Sequence, residues 1–193
     1  MKKLLICGDS FAADWTVKHP GKGWPNMLAD SYDVINIARA GVSEYKIYKQ
    51  LEFVNLSKFD AVIIAHTSPY RLYVKQHPIH SNDVLHGDCD FIYNDIKANE
   101  DKYPELESII DYFEKYFDQD YAKFIHGLIC SKIEAMVKDH KVIHLINFED
   151  QFKFKTSLDF TSVFRTNRGL MNHFDEDGNN YVYKRLVRKI EEL

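Results

Sequence analysis

Lys2-Lys3-Leu4-Leu5-Ile6-Cys7-Gly8-Asp9-Ser10 is the stretch on which the fold turns. Its apolar run is short and ends abruptly at Gly8, as a buried strand does. A serine just past the end of a first strand lies where open α/β sheets hold their ligands. The glycine before it allows a sharp turn that leaves the hydroxyl exposed. Taken alone, Gly8-Asp9-Ser10 is also an ordinary strand-to-loop sequence.

Outward from this stretch, strand and helix patterns alternate. Residues 32–37, 59–65 and 141–146 read as further strands, and residues 161–164 as a weak fifth. The run 59–65 is apolar almost throughout, as a central parallel strand is. Between the strands, Trp24, Met27 and Leu28 suggest a helix with Pro25 near its start. Ile47, Tyr48, Leu51 and Val54 keep helical spacing behind Ser43, a candidate N-cap. Leu106, Ile109, Ile110, Phe113 and Phe117 form an apolar stripe. It resumes after Asp118-Gln119-Asp120 at Tyr121, Phe124, Ile125, Leu128, Ile129, Ile133 and Met136. Val182, Leu186, Val187 and Ile190 mark a last helix. This βαβα order argues for a parallel sheet flanked by helices, in one domain over residues 1–193. Residues 70–104 break the pattern. They read as an irregular insertion, of the kind that forms a lid or binding loop.

The 193 residues are 45% hydrophobic, so the chain is globular and can bury a sizeable core. A net charge of −4 leaves no electrostatic footprint for nucleic acid. No stretch nears the roughly 20 apolar residues of a membrane span. The N-terminal run is too short for the roughly 7–15-residue core of a signal peptide, so cytoplasmic residence is the expectation. The three cysteines, Cys7, Cys89 and Cys130, do not make a disulfide framework. Cys7 and Cys130 read as buried small hydrophobes.

Three blocks resemble the SGNH (GDSL-like) hydrolase family: Gly8-Asp9-Ser10-Phe11, then Asn36-Ile37-Ala38-Arg39-Ala40-Gly41-Val42-Ser43, then Asn172-His173-Phe174-Asp175-Glu176-Asp177-Gly178. Their order and spacing span nearly the whole chain, and their conjunction is more specific than any one of them. The resemblance implies a three-layer α/β/α flavodoxin-like fold with a central parallel sheet. It implies a serine esterase or acyl hydrolase working through an acyl-enzyme, with no metal or organic cofactor. The substrate would be a carboxylic ester, an O-acetyl group on a carbohydrate being one candidate. Acyl transfer to an acceptor would use the same machinery. A serine hydroxyl needs a base to take its proton, and His173 is the candidate for Ser10. The tetrahedral oxyanion needs fixed donors, and the N–H groups of Ser10 and Gly41 are candidates.

The chain departs from the family at two places. Leu170 stands where the family has the triad aspartate, three residues before the histidine. The expectation is that the Leu170 carbonyl orients His173; Asp159 and Asp175 lack the family spacing. Ala65-His66-Thr67-Ser68-Pro69-Tyr70-Arg71 replaces the block that supplies an oxyanion asparagine, leaving Thr67 or Ser68 as hydroxyl donors. These losses motivate the rival reading, a non-catalytic binding or interaction protein on a degenerate hydrolase scaffold. Arg71 and Tyr70 are candidate substrate-binding residues, Arg71 for an anionic group. His66 reads as a satisfied strand-end histidine. His77-Pro78-Ile79-His80 and His86-Gly87-Asp88-Cys89 form a set able to ligate zinc, but the spacing matches no common finger, and a polar loop is the simpler reading.

Overall fold

The computed structural model describes every residue except Pro20 and Gln151. Its elements run β1 (Lys3–Gly8), α1 (Trp24–Ala29), β2 (Asp33–Asn36), α2 (Glu44–Glu52), β3 (Ala61–Ala65), α3 (Tyr93–Asn99), α4 (Glu107–Lys115), α5 (Gln119–Val137), β4 (Val142–Ile146), β5 (Ser157–Asp159), α6 (Thr161–Thr166), β6 (Arg168–Met171) and α7 (Glu176–Glu191). Strands β1 to β5 form one sheet in the order β2-β1-β3-β4-β5. Every pairing is parallel, with Ile6 opposite Asn36 on one side and Ile63 on the other. This is the flavodoxin-like order, whose topological switch lies beside β1. The fold is therefore the expected three-layer α/β/α arrangement around a central parallel sheet.

Alternation along β1 explains the layers. Leu4 and Ile6 face one core with Trp24 and Leu28 of α1 and Val182, Leu186 and Ile190 of α7. Leu5 and Cys7 face the other with Ile47 and Leu51 of α2 and Ile133 and Val137 of α5. Each fully buried Leu or Ile contributes about 1.5–3 kcal/mol relative to exposure. Among the described residues no helix is long and apolar enough to cross a membrane.

Two expectations are corrected. Residues 161–164 are not a strand but the start of α6; the fifth strand is Ser157–Asp159. Asp159 Oδ1 accepts from the Thr161 N–H at 2.8 Å, which turns the chain into the helix. Four residues rich in β-branched and aromatic side chains do not distinguish the two states. Residues 70–104 are also more ordered than expected. Leu72 and Phe91 exchange two backbone hydrogen bonds of 3.0 Å and close the neck of the segment. Beyond the neck, α3 packs Ile96 against Leu106 and Ile110 in a small core of its own. Ser43 stands at the N-cap of α2 as expected, but its hydroxyl makes no cap bond; its N–H donates to Asp90 Oδ2 instead.

Candidate active site

Because all five strands run parallel, the segments after β1, β2 and β3 emerge on one rim. Gly8 ends β1 with φ +142°, and a Cβ there would lie 2.4 Å from the Ala65 carbonyl oxygen. Only glycine lets β1 and β3 approach so closely. The turn that follows is fixed from several sides. Asp9 accepts from the Phe11 N–H at 2.9 Å and from Arg71 at 3.0 Å. The Trp15 indole donates to the Ser10 carbonyl at 2.8 Å, and the Trp24 indole to the Phe11 carbonyl at 2.7 Å. Asp9 thus organises the loop. Burial pushes its carboxyl up, opposed by the Arg71 guanidinium and the Phe11 N–H.

His173 reaches this turn from the other end of the chain. Met171 and Phe174 pair across a two-residue turn whose central residues, Asn172 and His173, have φ of 47° and 61°. Positive φ at both positions is the signature of the tight hairpin turns in which asparagine is favoured. The result is a 2.8 Å contact between Ser10 Oγ and His173 Nε2. Buried Asn172 bonds the two loops directly: its Nδ2 donates to the Ala13 carbonyl at 2.7 Å and the Ser10 carbonyl at 3.4 Å. Asn179 of α7 ties the hairpin down from behind, donating to the carbonyls of Met171, Phe174 and Asp175. Burial pushes the His173 imidazole down to about 4, helped by the Arg71 and His86 charges. The ring is therefore neutral at pH 7 and able to accept the Ser10 proton.

Among the described residues, the N–H groups of Ser10 and Gly41 have no acceptor. Both residues line a cleft of about 340 Å³, with His173, Phe148 and Phe164. Gly41 has φ +77°, and a Cβ there would meet the Cys89 Cβ at 2.5 Å. Segment 70–104 contributes Arg71, His80, His86, Cys89, Ile92 and Asp95 to the walls.

Arg71 apart, the other expected site residues do not line this cleft. Leu170 lies in β6 with its side chain 76% exposed. Among the described residues, neither its carbonyl nor any carboxylate bonds the second ring nitrogen of His173. Aromatic packing orients the ring instead, with Phe11 at 4.7 Å and Trp15 at 5.5 Å between centroids. Asp159 accepts from the Thr161 N–H in the turn before α6, and Asp175 caps α7. Thr67 and Ser68 lie outside the Ser10 cleft. The Thr67 N–H donates to Glu44 while its side chain bonds Asp9, and the Ser68 hydroxyl accepts from the Tyr70 N–H beside a cavity lined by α2 and α5. Tyr70 also points away, its hydroxyl donating to Asp150. Arg71 borders the cleft but uses two donors on Asp9 and the Val42 carbonyl.

Sequence reasoning missed Asn172, whose role appears only once the hairpin is folded. Asn172→Ala is expected to lower kcat at least 10-fold while leaving KM nearly unchanged, and to cost about 1–3 kcal/mol of stability. Steady-state kinetics with chemical denaturation checks both; unchanged kcat in a folded variant contradicts the positioning role.

It also missed a buried cluster behind the rim. His66 Nδ1 lies 2.6 Å from Glu44 Oε1, and His66 Nε2 lies 2.9 Å from His144 Nδ1. His126 lies 3.9 Å from the other Glu44 oxygen. Although burial opposes it, the His66 and His126 charges and hydrogen bonds keep the Glu44 carboxyl low. Glu44 and His126 reach the floor of a second, largely apolar cavity of about 420 Å³, walled by Tyr73, Tyr112, Phe117 and Tyr121.

No protein-family model and no curated protein matches the chain. Among solved structures, it is similar to a protein assigned to the lipolytic G-D-S-L family from Desulfitobacterium hafniense DCB-2. The identity is 15%, covering 98% of this chain and 99% of that one, with a TM-score of 0.49. It is also similar to a possible lipase from Chitinophaga pinensis DSM 2588. That identity is 16%, over 77% of this chain and 49% of that one, with a TM-score of 0.36. The chemistry assigned to the rim rests on its own geometry.

Proposed function

We propose that the chain is a serine-dependent ester hydrolase acting on a short acyl ester of a polar alcohol, such as a carbohydrate O-acetyl group. The observation that carries the reading is the 2.8 Å contact of the Ser10 hydroxyl with a neutral, buried imidazole. In the proposed cycle, Ser10 Oγ attacks the ester carbonyl as its proton passes to His173 Nε2. The Ser10 and Gly41 N–H groups, which have no acceptor among the described residues, receive the developing oxyanion. His173 then protonates the leaving alcohol and activates water to release the acid. A cleft of about 340 Å³ suits a small ester, and His86 and Asp95 offer polar contacts for hydroxyl groups.

A fluorophosphonate probe tests the reading. Labelling of Ser10, absent in Ser10→Ala, supports it. Failure of the folded protein to label favours a non-catalytic binder on the same scaffold. The observation on that side is that, among the described residues, the second ring nitrogen of His173 has no acceptor.

The pH profile offers a separate test. Protonated His173 cannot accept the serine proton, so activity falls as pH drops through its pKa. Because burial lowers that pKa from 6.5 to about 4, the acid limb of kcat/KM should lie well below pH 6.5. A limb at 6.5 or above contradicts a desolvated base.

A further inference from the structure

We propose that His77, His80 and Cys89, brought together by the folding of segment 70–104, form a zinc-type divalent metal site in the wall of the Ser10 cleft. One donor atom from each residue lies within 4.8 Å of the others. Tetrahedral zinc, with bonds of about 2.0–2.3 Å, wants such donors roughly 3.5 Å apart, so a small contraction completes the set. Two imidazoles and a thiolate suit zinc better than magnesium or calcium, which prefer oxygen.

Three observations point to a ligand. The His77 side chain is wholly buried, yet its Nε2 has no hydrogen-bond partner among the described residues. A buried ring nitrogen without a partner is costly, and a metal bond removes the cost. His80 Nε2 lies 2.9 Å from Asp95 Oδ2, which leaves Nδ1 for the metal. A carboxylate behind an imidazole is the usual second layer of a metal site; it fixes the tautomer and strengthens the ligand. Cys89 is a buried free thiol.

Binding breaks the Cys89 S–H bond, forms a sulfur–metal bond and releases one proton to solvent. Ligation through His77 Nε2 moves the ring proton to Nδ1 and gives up the long 3.3 Å bond from the Ile79 N–H. His80 and Cys89 both line the cleft, so an ion held by them would sit at its wall. Cys89 also packs on Gly41, so an ion here would brace that turn.

This site does not depend on the ester-hydrolase reading, and its test reads the metal rather than turnover. The whole chain, stripped with a chelator and dialysed, is titrated with Co²⁺ and followed by absorbance. The expected result is one Co²⁺ per chain, with tetrahedral visible bands and a near-ultraviolet thiolate charge-transfer band. Cys89→Ser should abolish the charge-transfer band, and Cys130→Ser should keep it. Asp95→Asn, at a partly exposed position, should weaken binding about 10–100-fold without unfolding the protein. Absence of stoichiometric binding, or a charge-transfer band that survives Cys89→Ser, overturns the proposal. So does an undiminished affinity in Asp95→Asn.

Discussion

Ser10→Ala is expected to lower kcat for short acyl esters by about 10³-fold or more, with folding and thermal stability nearly unchanged. The size of the loss follows from the proposed chemistry: without Oγ there is no acyl-enzyme, and only the donors of the rim and substrate binding remain. His173→Ala should cost nearly as much, because nucleophile and base act as one unit and their losses do not add. The double variant should therefore resemble either single one. Kinetics on all three variants, with circular dichroism to establish folding, decides the matter. Hydrolysis that survives either substitution at near wild-type rate places the chemistry elsewhere.

Glu44→Ala should be the most destabilising single change outside the apolar core. The carboxylate is wholly buried, bonded to His66 at 2.6 Å and to the Thr67 N–H at 3.1 Å. Removing one member of such a cluster strands the others, at a cost of about 3–5 kcal/mol. For a chain of this size, that lowers Tm by roughly 10 °C or more. Thermal unfolding measures it, and a drop equivalent to less than about 1 kcal/mol would show that His66 and His144 satisfy each other without the acid.

What the sequence made legible was local or periodic. The apolar alternation of residues 4–7, the all-apolar third strand and the helical stripes ending at Ile190 foretold the parallel sheet and its layers. Asp118 marked the break between α4 and α5 because it caps α5, accepting from the Tyr121 N–H. The approach of Ser10 to His173 was readable because both stand next to element ends on one rim. Less legible were features set by packing between distant residues. Glu44, His66, His126 and His144 come from four elements or their ends, with no shared spacing. The Thr161-Ser162-Val163-Phe164 run carried strand-like side chains, and its helical state is set by the Asp159 side chain just before it. The orientation of His173 misled for a similar reason: aromatic rings from the other end of the chain do what the Leu170 carbonyl was expected to do.

The hairpin turn at Asn172 and His173 has a consequence for biosynthesis. The serine leaves the ribosome well before its base and the asparagine that bonds the two loops, which come 163 and 162 positions later. Until that hairpin emerges and docks, the nascent chain carries a serine hydroxyl with no base, no more reactive than any other. On the proposed chemistry, the enzyme is thus born inert and armed only when that hairpin docks against the Ser10 turn. A chain truncated after β4 would stay disarmed however well its sheet had formed.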